Sequence, residues 1–474
     1  MPGTWSNSFS RDRTGIRTRF KRGWRWTGES RFSVFRPILF MLAGVGGLLA
    51  NPGGQALAQG SAQATFRSFN GCVRLGPAEE PPELTRKLGT GWFRRDFPWE
   101  HMEPQKGTWN WGPLDNEVKR SQSEGAQVLP ILAYSAAWAA SIKGNTLSVP
   151  DEADWNEYVE AVVARYSGSP YNLRYFQVWN EPTVEAGFLK GANNLDYIDK
   201  IYLPAARIIR KHNCYVVFGG WPHSNSLDQL GQDLDHNNAW EWTDIVDVHY
   251  FEMYAWQALY DRWIATGRCK GIWQSEIGWN TYLNFLPNTY WRILYWSIQR
   301  GWQNPDQYKV FWYERFNTGA NAAKALVWKD PGGNLALTDH GKHLAEMNQL
   351  LGNSPLQLFT QFSMNPPVSP SSEETTPTAL GFRVGDDSVV IVLLLASAPA
   401  NRPISVAVDL PRKPARVALL SPTGDSLPLR SNYSGGRLQI NASTNGFSTG
   451  IATWTRAGAF SVSIGYVKID LGRE

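Results

Sequence analysis

Cysteine and histidine, which supply the ligands of most zinc sites, are scarce in this sequence. Among 474 residues there are three cysteines and seven scattered histidines, and the cysteines show no C-x-x-C spacing. We therefore expect no metal ion and no cofactor. An odd cysteine count also excludes a disulfide framework, although one bridge between Cys214 and Cys269 stays possible if the protein is exported.

Net positive charge is confined to the start of the chain. The formal net charge is +4, but residues 1–36 carry nine Lys or Arg against two acidic residues, so the remaining residues have a net charge of −3. A chain with this balance offers no basic face to nucleic acid, and we expect no nucleic-acid partner.

An apolar stretch at residues 37–50 follows the basic region, and the small residues Ala56 and Ala58 come after it. This order is typical of a secretory signal peptide, and we expect cleavage after Ala58. The stretch is shorter than the roughly 20 residues of a membrane-spanning helix. We therefore expect a secreted or periplasmic protein without stable membrane insertion. An uncleaved membrane anchor is the alternative.

Eight short apolar runs alternate with longer amphipathic segments beyond residue 68. The runs are apolar along most of their length, as expected for parallel strands covered on both faces. They are residues 69–75, 91–99, 127–134, 174–180, 215–221, 244–250, 271–276 and 309–316. The clearest helical segments are residues 151–168, 197–213, 289–302 and 339–352. We expect a kink at Pro204 within the second of these.

This alternation predicts an α/β fold, a (β/α)₈ TIM barrel. A doubly wound open sheet is the alternative, but it requires a glycine-rich phosphate turn after the first strand, which the sequence lacks. The predicted barrel occupies residues 59–353, after the signal peptide at 1–58. A Ser-, Pro- and Thr-rich connection follows at 354–376. Short strands with regular turn residues then predict a small all-β sandwich at 377–474.

Two glutamates follow strands on the same side of the predicted barrel. Glu181 lies just past the fourth strand, in the stretch YFQVWNEP that Pro182 ends, and Glu276 ends the seventh strand. Because the carboxyl ends of barrel strands meet at one mouth, we expect both carboxylates there. Two carboxylates across a cleft suit the cleavage of a glycosidic bond, in which one donates a proton and the other attacks the sugar or activates water.

Aromatic residues are abundant, with 23 tryptophans in the chain. Rings beside the two glutamates would stack on the apolar faces of sugar rings. Trp138, Trp179 and Trp312 are the candidates for such contacts, and barrel packing is the alternative for Trp312.

These motifs resemble those of the retaining glycoside hydrolases of clan A. The resemblance rests on VWNEP at the fourth strand, on the glutamate that ends the seventh, and on residues 91–111, which are similar to an RxDxxW…EPxxGxxxW pattern. It covers about residues 69–352. The nearest similarity is to family 39 and related sequences, which act on xylosides, uronides or bacterial exopolysaccharides and also combine a barrel with a β-sandwich.

The resemblance implies a role for each matching residue. Glu181 would be the acid/base, Glu276 the nucleophile, and Asn180 the partner of the sugar 2-hydroxyl. Arg94 would keep the nucleophile ionised, because a nearby cation lowers the pKa of a carboxylate. Arg95 is the competing candidate for that role.

A second alternative for Arg94 is a buried structural ion pair with Asp96. The sequence also departs from the family pattern at one point. Relatives carry His-x-Tyr at the end of the sixth strand, where the tyrosine donates to the nucleophile, but here Phe251 follows His249 at that spacing. We keep His249 as a pocket residue. Tyr250 would serve only if the strand end is bulged, and Tyr254 lies further away.

The sequence therefore predicts an exported retaining glycoside hydrolase with a carbohydrate substrate. A catalytically silent carbohydrate-binding or scaffold protein is the alternative from another class, and the missing tyrosine is its only support. A transglycosylase would use the same residues.

Overall fold

The structure is a computed structural model that describes residues 64–74, 76–278, 281–302, 304–319, 322–397, 401–455 and 458–472. The predicted signal peptide, and with it the alternative membrane anchor, lies outside these residues. No helix within the described ranges is long and apolar enough to cross a membrane.

Eight parallel strands form a closed barrel, which confirms the predicted fold. They are β1 (Asn70–Val73), β2 (Trp92–Pro98), β3 (Gln127–Ala133), β4 (Tyr175–Val178), β5 (Tyr215–Val217), β6 (Ile245–His249), β7 (Gly271–Ile277) and β8 (Tyr308–Trp312). Neighbours along the chain pair in order, β8 pairs with β1, and Val217 of β5 pairs with Ile245 of β6. A two-residue strand, Trp221–Pro222, adds to β6 at the mouth.

Helices surround the barrel between successive strands. The α-helices are α1 (Phe66–Phe69), α2 (Pro82–Leu88), α3 (Trp99–Met102), α4 (Gly112–Ser123), α5 (Glu152–Ser167), α6 (Asn194–Tyr197), α7 (Leu203–Lys211), α8 (Leu227–Asp235), α9 (Met253–Leu259), α10 (Phe285–Gln299) and α11 (Asp339–Leu351). The π-helical turns are Ile198–Tyr202 and Tyr260–Ile264, and the 3₁₀ turns are His236–Trp242 and Ala322–Lys324.

The helix predicted at residues 197–213 is interrupted near Pro204, as expected. A π-helical turn, Ile198–Tyr202, joins α6 to α7, and Pro204 lies in the first turn of α7. Proline has no backbone N–H to donate, so it is tolerated at a helix start and the irregular turn comes before it.

An aromatic layer closes the lower half of the barrel. Inward side chains of the strands pack there as one cluster: Val73, Trp92, Leu129, Tyr175, Val217, Ile245, Trp273 and Phe311. Lys309 is buried beside it, with its Nζ 4.3 Å from the Trp92 ring centre and 5.3 Å from that of Trp273. Since this layer is closed, the polar side chains one step higher on the same strands face only the mouth.

Two antiparallel sheets follow the barrel, as predicted for a sandwich. A hairpin at the barrel mouth comes first, formed by β9 (Val327–Lys329) and β10 (Leu335–Leu337). The larger sheet contains Leu356–Leu358, Thr378–Val384, Ser388–Ala396, Gly458–Asp470, Arg416–Leu420, Ser426–Leu427 and Ser448–Thr455. The smaller sheet contains Phe362–Asn365, Pro403–Asp409, Arg437–Ser443 and Leu429–Ser434. Sheet pairing thus begins at Leu356, inside the segment predicted as a connection.

Helix α10 lies between the barrel and the sandwich. Every residue from Phe285 to Ser297 is buried. The Trp291 ring packs 5.2 Å from that of Phe382 and 5.5 Å from that of Tyr466, both on the larger sheet. A helix with apolar side chains around most of its circumference is stable only when other elements pack against it on every side.

Polar side chains of α10 bind the backbone of the connecting segment. The buried Arg292 donates to the carbonyl oxygens of Ser371 at 3.1 Å, of Glu373, and of Thr376 at 2.7 Å. Asn288 donates to the carbonyl of Glu374 at 3.3 Å. The segment at 371–376 is therefore fixed against the barrel.

The possible bridge between Cys214 and Cys269 does not form, and Cys72, Cys214 and Cys269 are all free and buried. The Sγ of Cys214 lies instead 3.4 Å from the carbonyl oxygen of His212. Burial raises the pKa of Cys269 to about 12, so this thiol stays protonated and unreactive.

Candidate active site at the barrel mouth

A cavity of about 280 Å³ opens at the carboxyl ends of the barrel strands. It is lined by Val73, Arg74, Arg94, Asp96, Ile131, Tyr134, Asn180, Glu181, Phe188, Tyr250, Glu276 and Tyr313. Five of these residues, namely Arg94, Asn180, Glu181, Tyr250 and Glu276, belong to the set that the sequence predicted. The cavity lies where parallel barrels bind ligands.

Glu276 is held by a hydrogen bond at each carboxylate oxygen. Nη1 of Arg94 lies 2.5 Å from Oε1, and the hydroxyl of Tyr250 donates to Oε2 at 2.6 Å. Burial alone would raise the pKa of Glu276, but the charges of His249 and Arg94 and these two hydrogen bonds outweigh it, so the pKa is lowered. The side chain is therefore fixed in the ionised form.

Arg94 serves three acceptors at the base of the cavity. Besides Glu276, it donates from Nε to Gln177 at 2.8 Å and from Nη2 to Oδ1 of Asn180 at 2.6 Å. The guanidinium is buried, which by itself lowers its pKa, but nearby carboxylates raise the pKa above its usual value. Arg94 thus stays charged and orients both Asn180 and Glu276.

The two alternatives for this arginine fail on geometry. Arg95 points away from the cavity and pairs with Glu117 on α4. Arg94 gives its hydrogen bonds to Gln177, Asn180 and Glu276 and none to Asp96. The Asp96 carboxylate lines the cavity instead.

Glu181 begins a chain of hydrogen bonds that runs into the barrel. Its Oε1 lies 3.0 Å from Nδ1 of His249, and Nε2 of that ring lies 3.0 Å from the Ser275 hydroxyl. Ser275 gives its backbone N–H to Asp247 at 2.9 Å and its hydroxyl at 2.5 Å. Burial raises the pKa of Asp247 to about 6, although the charges of His249 and Arg94 and the Ser275 hydrogen bonds lower it.

The hydrogen bonds of Ser275 fix one proton of the His249 ring. The Ser275 hydroxyl donates to Asp247, so its oxygen accepts from Nε2 of His249. The other ring nitrogen, Nδ1, and Oε1 of Glu181 are joined by a hydrogen bond, which needs one proton between these two atoms. His249 and Glu181 therefore share a proton beside the ionised Glu276.

The sheet is irregular where β6 ends, but the extra residue is Ser275 of β7, between the partners of Val248 and His249. The pairing of β6 with β7 shifts between Val248 and His249, and Tyr250 has a φ of 60°. This left-handed conformation turns the Tyr250 hydroxyl toward Glu276. Phe251 is buried, and its backbone N–H donates to Gln274 at 2.8 Å.

The three predicted tryptophans do not line the cavity. Trp179 is buried, with its Nε1 bonded to the Phe188 carbonyl at 2.9 Å. The ring centre of Trp138 lies 5.4 Å from that of Trp99, and its Nε1 donates to the Glu103 carbonyl. Trp312 is buried on the outer side of β8, where it contacts rings of α10 and α11. The structure therefore places none of these three rings in the cavity.

Strand alternation explains why Trp312 of β8 lies outside the cavity. Successive side chains point to opposite faces of a strand, so Phe311 and Tyr313 face the barrel interior while Trp312 faces the helices. The rings that line the cavity are Tyr134, Phe188, Tyr250 and Tyr313. A period-two count from Phe311 would have found Tyr313, but no local signal distinguishes Tyr134 or Phe188.

The carboxylates of Glu181 and Glu276 approach closely. One oxygen of each, together with a ring nitrogen of His249, lies within 4.8 Å of the others. Such a group is able to hold a metal ion, but both Glu276 oxygens are already hydrogen-bonded, and the charge of Arg94 opposes a second cation. The arrangement suits two carboxylates that act together on a ligand.

Comparison with known proteins places the architecture. No family model matches the chain. A family 39 glycoside hydrolase from the gut symbiont Bacteroides cellulosilyticus WH2 aligns with a TM-score of 0.56 and 16% identity, over 86% of this chain and 81% of that one. A GH39 enzyme from Xanthomonas axonopodis pv. citri aligns with a TM-score of 0.57 and 13% identity, over 87% of this chain and 96% of that one. A GH30 endoxylanase from Clostridium papyrosolvens C71 aligns with a TM-score of 0.53 and 14% identity, over 87% of this chain and 98% of that one.

The chain has the fold of these glycoside hydrolases. Among curated proteins, endo-1,4-beta-xylanase A of Fusarium oxysporum f. sp. lycopersici is 26% identical over 113 residues, which make up 23% of this chain. The chain covers 33% of the length of that xylanase. The predicted barrel followed by a β-sandwich is therefore confirmed as the fold, whereas the reaction has to be argued from the site.

Proposed function

We propose that this protein is a retaining glycoside hydrolase that cleaves β-glycosidic bonds of an oligosaccharide or polysaccharide. The proximity of two carboxylates in one cavity supports this function. Oxygens of Glu181 and Glu276 lie within 4.8 Å of each other. Retaining enzymes have carboxyl groups about 5–5.5 Å apart, while inverting ones leave about 6.5–9.5 Å for a water molecule.

In the first step, the ionised Glu276 attacks the anomeric carbon, and Glu181 gives its proton to the departing glycosidic oxygen. The sugar is then bonded to a Glu276 oxygen, and the leaving group departs as an alcohol. In the second step, Glu181 takes a proton from water, the resulting hydroxide attacks the same carbon, and Glu276 is released as a carboxylate. The lowered pKa of Glu276 suits an attacking carboxylate, and the proton that Glu181 shares with His249 suits a proton donor.

Two further side chains would hold the sugar. Oδ1 of Asn180 is occupied by Arg94, so its amide NH₂ is left to donate, which suits a hydrogen bond to the 2-hydroxyl. Asp96 lines the cavity with a half-buried carboxylate, which suits a pair of sugar hydroxyl groups. The ring of Tyr313 would supply the stacking surface that the sequence assigned to Trp312.

The substrate class and the location of the enzyme are part of the proposal. Neighbours in fold include an endoxylanase, and a curated protein with local sequence similarity is a xylanase, so a β-xylan or a related bacterial exopolysaccharide is the first class to test. Residues 37–58 support export through a signal peptide. The alternative of a silent binding protein relied on the absent tyrosine, and Tyr250 removes that support by donating to Glu276.

The direct test is hydrolysis of a panel of aryl β-glycosides and soluble polysaccharides by the purified chain, with the anomer followed by proton NMR. We expect cleavage of at least one member, and the β-anomer as the first product. An α-anomer would contradict the double displacement. Binding without any product across the panel would favour the silent carbohydrate-binding protein.

Substitution of Tyr250 tests the control of the nucleophile. Tyr250→Phe removes one hydrogen bond to the ionised Glu276, and such bonds are worth roughly 1.5–3 kcal/mol. Because the ionised form loses this stabilisation, the pKa of Glu276 rises, and the acidic limb of the pH profile of kcat/KM moves about one unit upward. Phe251→Tyr is the matched control, and we expect its acidic limb to stay within about 0.3 units of wild type.

A further inference from the structure

Among the residues that the structure describes, large apolar side chains are exposed on one face of the barrel. Five such side chains of the described residues are exposed, namely Ile142 at 44%, Val184 at 46%, Leu195 at 41%, Tyr254 at 61% and Trp328 at 44%. All five follow the carboxyl end of a barrel strand, so they surround the candidate active site. Scattered exposed apolar residues are ordinary, but their confinement to the mouth is not.

These residues lie on opposite sides of the mouth. Ile142 follows β3, Val184 and Leu195 follow β4, and Trp328 lies in the hairpin after β8. In a closed barrel of eight strands, β4 and β8 are diametrically opposed. Tyr254 lies near the start of α9, after β6. The cavity with its two glutamates is therefore between the two apolar sides.

Both sides are fixed in place by contacts between loops. The loops after β3 and β4 are joined by a bridge between Ser148 and Lys190, and the Lys190 N–H donates to the Leu147 carbonyl at 2.9 Å. Two contacts hold the hairpin that carries Trp328. The Val327 N–H donates to the Arg315 carbonyl at 2.8 Å, and Lys329 forms an ion pair with Glu79 at 2.9 Å. The exposed rings are thus presented on ordered backbone.

The mouth combines charged side chains in the cavity with apolar side chains around it, and this combination favours a glycan over a lipid or a protein. A lipid or a second protein on this face would cover the charged groups of the cavity, such as Asp96 and Glu181, and leave them without water. A glycan has hydroxyl groups for those charges and apolar ring faces for the exposed aromatics. At about 280 Å³ the cavity is also smaller than the roughly 300–1,000 Å³ of pockets that enclose a ligand.

We propose that this face binds a linear glycan longer than the cavity, with Trp328 and Tyr254 as stacking sites beyond the cleaved bond, so that cleavage occurs inside the chain. This inference rests on the proposed function, because it takes the cavity as the position of the cleaved bond. The residues that line the cavity then hold the one or two sugar rings next to the cleaved bond, and the exposed side chains around the cavity hold the rest of the glycan.

The test separates binding of a polymer from cleavage of a small substrate. Trp328→Ala and Tyr254→Ala would be compared with wild type on a soluble polysaccharide of the panel and on an aryl monoglycoside. We expect kcat/KM on the polymer to fall about tenfold or more for each, since stacking of one ring contributes on that order. Activity on the aryl monoglycoside stays within about twofold, because neither ring contacts its sugar. Trp328→Phe keeps a flat ring, and we expect it to retain most of the polymer activity.

Two outcomes on activity overturn the inference. One is an equal effect of Trp328→Ala on both substrates. The other is release of monosaccharide from the chain end as the first product, instead of a rapid loss of viscosity.

A binding assay keeps the inference testable even if the chain cleaves nothing. Glu276→Gln and the double variant Glu276→Gln/Trp328→Ala would be run in native gels that contain xylan, mixed-linkage β-glucan, galactomannan or alginate. Retardation of the first and its loss in the second support the stacking site. Failure of all four polysaccharides to retard Glu276→Gln overturns it. A second result also overturns it: Trp328→Ala converts a dimer into a monomer while retardation by the polysaccharide is unchanged. That result would identify a second copy of the protein as the occupant of this face.

Discussion

Replacing Glu276 with glutamine should lower kcat by at least about 10⁴-fold on every substrate that the protein cleaves. The amide is nearly isosteric with the carboxylate, but it cannot form the covalent bond to the anomeric carbon. Arg94 would still have an acceptor at Oε1, so the geometry of the site should survive. Steady-state kinetics together with a far-UV spectrum of the variant check this prediction.

A buried glutamate away from the reaction provides the control. Glu103 accepts hydrogen bonds from the Trp99 ring at 2.7 Å and from the Gly107 N–H at 2.6 Å, and it orders the loop after β2. We expect Glu103→Gln to lower thermal stability while kcat stays within about threefold of wild type. An active Glu276→Gln variant, or an inactive but folded Glu103→Gln variant, would refute the assignment of the nucleophile.

Replacing Glu181 with alanine should have a large effect that depends on the leaving group. For an aglycone that needs protonation, we expect kcat/KM to fall by about 10²–10⁴, the usual contribution of general acid catalysis. For a dinitrophenyl glycoside, departure needs no proton, so only the second step is slowed. The space left by the side chain admits azide, which then replaces the water that Glu181 no longer activates.

The configuration of the azide product distinguishes the two glutamates. Azide attacks the glycosyl-enzyme of Glu181→Ala from the face that water normally uses, and the product is a β-glycosyl azide. In Glu276→Gly, azide occupies the position of the nucleophile itself and gives an α-glycosyl azide. Proton NMR of the two products decides the assignment. An α-azide from Glu181→Ala would mean that the roles are exchanged.

The sequence was sufficient to locate the two glutamates, because their positions depend on strand order alone. Glu181 and Glu276 follow the fourth and seventh strands, and any parallel barrel brings these strand ends to one mouth. A family pattern also fixed the face of β2 that carries Arg94, which lies in the cavity, whereas Arg95 pairs with Glu117.

Features that depend on a shift of one residue were out of reach. The change of register at Ser275, next to the turn that brings Tyr250 to Glu276, has no signal in the sequence around it. Trp312 and Tyr313 are both aromatic, so composition could not decide which one faces the cavity, and only the strand alternation counted from Phe311 distinguishes them. The chain from His249 through Ser275 to Asp247 joins β6 and β7, and it is visible only when the strands are paired.

Helix α10 has a consequence for the modularity of the protein. A boundary near residue 353 looks natural in the sequence, but a cut there would strip Arg292 of three carbonyl partners and uncover Trp291. Two side chains of one helix therefore join the sandwich to the barrel as one folded unit. Any chimera built on this barrel has to carry its own β-sandwich with it, while the mouth loops remain the exchangeable parts.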